Sequence, residues 1–156
     1  MSLETYVLIA VWAFTALLLV IFINRNNFMR AQVSFMFMQV PCWLLGALVV
    51  QGRLINYPVG FLSVVYKSSF TFEYFVFPAV SAIFNCHFPQ SKPKYIQVGY
   101  ALLLPALITV VEIVLEKHTK LVKYINWSWQ MSYISLTLIL LLSYMYTQWF
   151  FRKVRA

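Results

Sequence analysis

The stretch Tyr6-Val-Leu-Ile-Ala-Val-Trp-Ala-Phe-Thr-Ala-Leu-Leu-Leu-Val-Ile-Phe-Ile23 decides the fold. It carries no charge, and as a helix with a rise of 1.5 Å per residue it is about 27 Å long, close to the hydrocarbon thickness of a bilayer. Glu4 precedes it, no cation does, and it is longer than the apolar core of a secretory leader, so it reads as a retained helix. Outward from it, four further apolar runs have spanning length, and the predicted spans are 6–23, 33–51, 70–88, 96–115 and 131–151. The connections between them, 24–32, 52–69, 89–95 and 116–130, are too short for an extramembrane domain. Residues 1–156 therefore read as a single membrane domain, an all-α integral membrane protein built as a bundle of five transmembrane helices. Val59 to Tyr66 is apolar but too short to span, and is expected to lie along the interface between helices two and three. Pro41, Pro78 and Pro105 fall inside predicted spans two, three and four, where kinks are expected.

Composition leads to the same class. The chain is 62% hydrophobic and only 10% charged, too few charges to cover a water-soluble surface. Its mean hydropathy is +0.77. The net charge of +8 does not indicate nucleic acid, because the cations come in twos and threes between apolar runs, the pattern of headgroup anchoring. Cys42 and Cys86 are the only cysteines, so neither a disulfide framework nor a cysteine-rich metal site is available.

With the N-terminus outside, the cytoplasmic segments hold Arg25, Arg30, Lys92, Lys94, Arg152, Lys153 and Arg155, and the outer ones hold Arg53, Lys67, Lys117, Lys120 and Lys123. That bias, with no cation before the first helix and two after it, predicts N-outside and C-cytoplasmic in a plasma membrane. Whatever the orientation, an odd number of crossings puts all four acids on one side: Glu4, Glu73 at the start of helix three, and Glu112 and Glu116 at the end of helix four. Ser128, Ser132 and Ser135 follow at helical spacing, and small hydroxyl residues are what packed membrane helices use for close approach. Glu73, Glu112, Glu116, Arg53, Lys120, Ser132 and Ser135 are the candidate polar site, with Lys67, His118, Trp127 and Trp129 at its rim. Glu112 is expected to meet a hydroxyl of helix five or a cation such as Lys120, since an unpaired carboxylate at the edge of the hydrocarbon is costly. The same carboxylates also fit a structural role, fixing helix register through pairing.

Catalytic motifs are missing: there is no phosphate-binding glycine loop, no His-x-x-x-His and no nucleophile elbow. His87 and His118 fall at opposite ends of the predicted bundle, so neither a bis-histidine haem nor a metal site is expected, and no cofactor is.

Leu54-Ile-Asn-Tyr-Pro58, Ser69-Phe-Thr-Phe-Glu-Tyr-Phe-Val-Phe-Pro78, Val111-Glu-Ile-Val-Leu-Glu-Lys-His-Thr-Lys120 and Tyr124-Ile-Asn-Trp127 resemble a family of small multi-pass integral membrane proteins from spore-forming Bacillus- and Clostridium-type bacteria. The resemblance covers nearly the whole chain and includes Glu73, Glu112 and Glu116. It implies a bacterial plasma-membrane protein and carries no mechanism, because the family has no assigned activity. Together the residues and the resemblance lead to a non-enzymatic assembly, accessory or sensory subunit. Its expected partners are membrane lipids and either further copies of itself or a larger membrane protein. The alternative is ion or small-solute translocation through the outer-face carboxylates, and a membrane enzyme ranks below both.

Overall fold

The structure is a computed structural model and describes residues 3–61 and 67–154; most of the segment expected along the interface, Val59 to Tyr66, lies outside the described residues. In chain order the elements are α1 (Leu3–Phe22), a 3-10 turn (Arg25–Asn27), α2 (Phe28–Gln51), β1 (Ile55–Asn56), a π-helical turn (Phe72–Val76), α3 (Phe77–His87), α4 (Lys94–His118), β2 (Lys123–Tyr124) and α5 (Trp129–Val154). The fold is all-α, and four helical stretches, Leu3–Phe22, Arg25–Gln51, Lys94–His118 and Trp129–Val154, are long and apolar enough to cross a membrane. Most of them outrun the predicted apolar spans at one or both ends. Hydropathy ends where the hydrocarbon would end, whereas backbone hydrogen bonding continues through helix-forming residues such as Lys94, Glu116 and Arg152.

The prolines act unequally. α2 and α4 run through Pro41 and Pro105 as single helices. Before α3 the chain takes a π-helical turn instead, and Pro78 follows immediately at the start of the regular helix. Pro78 has no N–H to offer the turn before it, and the carbonyl of Tyr74 accepts a bond from Gln39 Nε2 of α2 at 3.1 Å.

α3 is the central element. Pro78, Ala79, Ser81, Ala82, Phe84 and Asn85 are all buried, with α1, α2 and α5 packed against the helix. α1 is peripheral and buries only Leu8 and Thr15; it is held by Trp12, whose ring stacks on Phe75 at 4.1 Å and whose Nε1 donates to Thr71 Oγ1 at 3.2 Å. The main core joins Met38 and Cys42 of α2, Phe84 of α3, Ala101 of α4 and Leu136, Ile139 and Leu140 of α5.

A two-stranded clip ties two connections together at one end of the bundle. β1 pairs antiparallel with β2, Ile55 opposite Tyr124 and Asn56 opposite Lys123. Leu54 O also accepts from Ile125 N at 3.0 Å and Asn126 N at 3.1 Å. Under the clip, Leu8, Ile55, Leu121 and Val122 form a second apolar cluster. α2 and α4 therefore both run toward this end, and α1 starts there.

Candidate functional site

Glu73 sits in the π-helical turn and is 3% exposed. Ser68 Oγ donates to its Oε2 at 3.0 Å. Its carboxylate occupies the space beside Gly46 of α2, where any Cβ would collide with Oε1. Gly46 is thus the residue that lets α2 approach a buried acid.

Glu112, about five turns along α4, meets the start of α5 through the Ser132 hydroxyl. Ser132 Oγ donates to Glu112 Oε1 at 3.1 Å and accepts from Trp127 Nε1 at 2.8 Å. Tyr124 Oη lies 3.1 Å from the same oxygen. Tyr124 also hydrogen-bonds the Glu112 carboxylate itself, so Glu112, Ser132 and Tyr124 form one network. Burial pushes the Tyr124 phenol above its ordinary range, opposed by the Ser132 hydrogen bond, so the hydroxyl keeps its proton. Tyr124 belongs to β2, and Glu112 is thereby wired to the clip.

The two carboxylates share one cavity of about 70 Å3, room for several water molecules. Cys42, Gly46, Glu73, Phe77, Glu112, Trp127, Ser132 and Ser135 are in its wall, with Ile55 of the clip, and among the described residues the lining contains no Lys, Arg or His. Two acids with hydroxyl donors around one small cavity are a chemistry suited to a proton or a small cation.

Of the residues expected at the site, the structure brings Glu73, Glu112, Ser132, Ser135 and Trp127 into one cavity. Glu116, Arg53 and Lys120 are not in its wall, and Arg53 and Lys120 are exposed. Glu112 is met by Ser132 and Tyr124, and through Ser132 by Trp127. The long cationic side chains reach water beyond the end of the bundle, which costs less than turning a charge inward. Arg53 instead has a backbone role. It adopts φ 54° just after α2, and Arg53 N to Val50 O at 3.0 Å with Leu54 N to Val49 O at 3.0 Å close a Schellman cap. His118 bonds the Val114 carbonyl of its own helix at 3.0 Å, His87 likewise bonds Ile83 O at 3.1 Å, and the two stand at opposite ends. Among the described residues no group of three or more His, Cys, Asp or Glu could hold a metal ion.

A second polar cluster was not legible from the sequence. Ser34 of α2, Ser81 of α3 and Ser143 of α5 form a triangle of hydroxyls with edges of 2.9, 3.2 and 2.6 Å. Asn85 Nδ2 donates to Ser34 Oγ at 2.7 Å and to Ser81 O at 2.9 Å. All four residues are 0–1% exposed. Serine and asparagine four residues apart on α3, with Ser143 and Thr147 four apart on α5, are the periodic signal that marks such inward faces. Ser135 and Ser143 are separated by about 12 Å along α5. Leu136, Ile139 and Leu140 fill that interval, together with Met38 and Phe84, as an apolar layer between the carboxylate cavity and the hydroxyl cluster.

Comparison with protein-family models, curated proteins and solved structures finds no match to this chain.

Proposed function

We propose that the chain is a non-enzymatic sensory or accessory subunit of a bacterial plasma membrane, and that its Glu73/Glu112 cavity responds to a proton or a small cation. The observation that carries this reading is the link from Glu112 through Ser132 to Tyr124 and the β1–β2 clip. A change of charge in the cavity removes or inverts the hydrogen bonds that join the clip to α4 and α5, so an ionic event inside the bundle reaches the surface connections.

In this reading the chain crosses five times, with the N-terminus outside and the C-terminus cytoplasmic. The fifth crossing is the helical run 70–87, about 27 Å long. α2 and α4 both end at the clip, so the chain must return between them, and this run is what returns. Its lower hydropathy fits its place in the centre, where Ser81 and Asn85 meet helices rather than lipid. The cation bias of the opposite end supports its assignment to the cytoplasm. A sensor of this size acts on a partner, either a second copy or a larger membrane protein.

Translocation is the second reading, favoured by the two carboxylates in one cavity. The apolar layer of Met38, Phe84, Leu136, Ile139 and Leu140 opposes it, because an ion leaving the cavity must cross that layer before it meets the hydroxyl cluster. Reconstitution in liposomes with an entrapped pH- or cation-sensitive dye separates the two. The sensor reading predicts no flux above that of empty liposomes, and a stoichiometric partner or oligomer on purification from mild detergent. Flux that is abolished by Glu112→Gln would instead establish translocation.

A further inference from the structure

We infer that the groove between α1 and α2 is a binding site for one anionic phospholipid, with an acyl chain in the groove and the phosphate at Arg25. This site lies at the other end of the molecule from the carboxylate cavity and does not depend on it.

The groove has a volume of about 360 Å3 and is walled by Leu19 and Val20 of α1 and by Phe28 and Phe35 of α2, with Ala82 of α3 as its floor. From Phe28 to Phe35 it runs about 10 Å along the helix. A hydrocarbon chain is the occupant whose chemistry fits walls of leucine, valine, phenylalanine and alanine.

Charge selects the headgroup. The turn that joins the groove's two walls starts at Arg25, an exposed residue two positions after Ile23 of the lining. The same end carries Arg30, Lys92, Lys94, Arg152 and Lys153, while Glu4, Glu73, Glu112 and Glu116 all belong to the clip end. The polar groups are also graded in depth. Arg25 lies in the turn between the two walls, and Gln32 follows about 6 Å along the helix from Phe28, at the depth of glycerol ester carbonyls, as the only polar residue in the lining among the described residues. Below Gln32 the wall is apolar. Phosphate, ester and chain of a diacyl lipid meet that order, and basic pockets between membrane helices attract anionic headgroups.

The test uses the full-length protein in detergent, titrated separately with phosphatidylglycerol and phosphatidylcholine of identical acyl chains, with bound lipid counted by native mass spectrometry. The first phosphatidylglycerol is expected to bind about tenfold tighter than the first phosphatidylcholine. Arg25→Gln should weaken phosphatidylglycerol about fivefold, bringing it toward phosphatidylcholine. Val20→Trp fills the groove from a position that is 79% exposed, so folding is preserved, and it should displace both lipids. Equal affinity for the two lipids in the unmodified protein, or phosphatidylglycerol binding unchanged in either variant, would overturn the assignment.

Discussion

Two backbone positions at the clip end show how single residues set local energies. Arg53 takes the left-handed conformation that glycine occupies without penalty, at a C-cap whose neighbour Gly52 is right-handed. Arg53→Gly is expected to raise stability by about 0.5–1 kcal/mol, because relief of the left-handed penalty exceeds the added freedom of the unfolded chain. Thermal unfolding in detergent measures it, and an unchanged or lower midpoint would contradict the cap. Gly46 and Gly99 form a contrasting pair. A methyl group at Gly46 collides with the Glu73 carboxylate, whereas one at Gly99 meets nothing within 4 Å. Gly46→Ala should cost about 1–3 kcal/mol, and Gly99→Ala should gain about 0.5–1 kcal/mol from helix propensity alone. Equal effects of the two substitutions on the midpoint would mean that Glu73 does not occupy that space.

Among the elements, α3 and the turn before it bury polar residues deepest, with Glu73, Ser81 and Asn85 all 0–3% exposed. Two of their polar groups are met from α2: Gln39 donates to the Tyr74 carbonyl, and Ser34 accepts from Asn85. Gln39→Leu is expected to cost about 1 kcal/mol, and Asn85→Ala about 1–2 kcal/mol, the range for interhelical bonds whose loss leaves buried partners unmet. Denaturation in mixed micelles reads both, and neutral substitutions would show that apolar packing alone holds α2 to α3. Neither partnership was legible in the sequence. Hydropathy distinguishes lipid from water, but a serine on an apolar helix has the same index whether it faces a neighbour or lipid, and Pro78 announces a freed carbonyl without saying who meets it. The clip was hidden for another reason: two residues per strand are too few to display an alternating pattern. What the sequence did carry was the gathering of acids at one end, because that follows from the order of spans and needs no side-chain geometry.

At the scale of the whole molecule, chemistry is divided between two ends and separated by an apolar middle. The clip end holds all four acids and the carboxylate cavity; the charged residues described at the opposite end are cations, beside the lipid groove. Apolar run lengths suffice for the all-α class, and Glu73, Glu112, Ser132 and Ser135, grouped by the order of the spans, line one cavity. The expected cations of that site were not in its wall, since chain order places a lysine at an end but not its flexible head. The central claim is that the charge state of the cavity controls the clip. It is tested most directly by hydrogen–deuterium exchange of the full-length protein in lipid nanodiscs, across pH 5–8 and with added Na+, K+ or Ca2+, after correction for intrinsic exchange rates. Protection at Leu54–Tyr57 and Leu121–Trp127 is predicted to change several-fold with proton or cation concentration in the unmodified protein. In Glu112→Gln that response should flatten, while protection around Ser34, Ser81 and Asn85 stays the same. Clip protection that is identical in the unmodified and Glu112→Gln proteins under every condition would contradict the account.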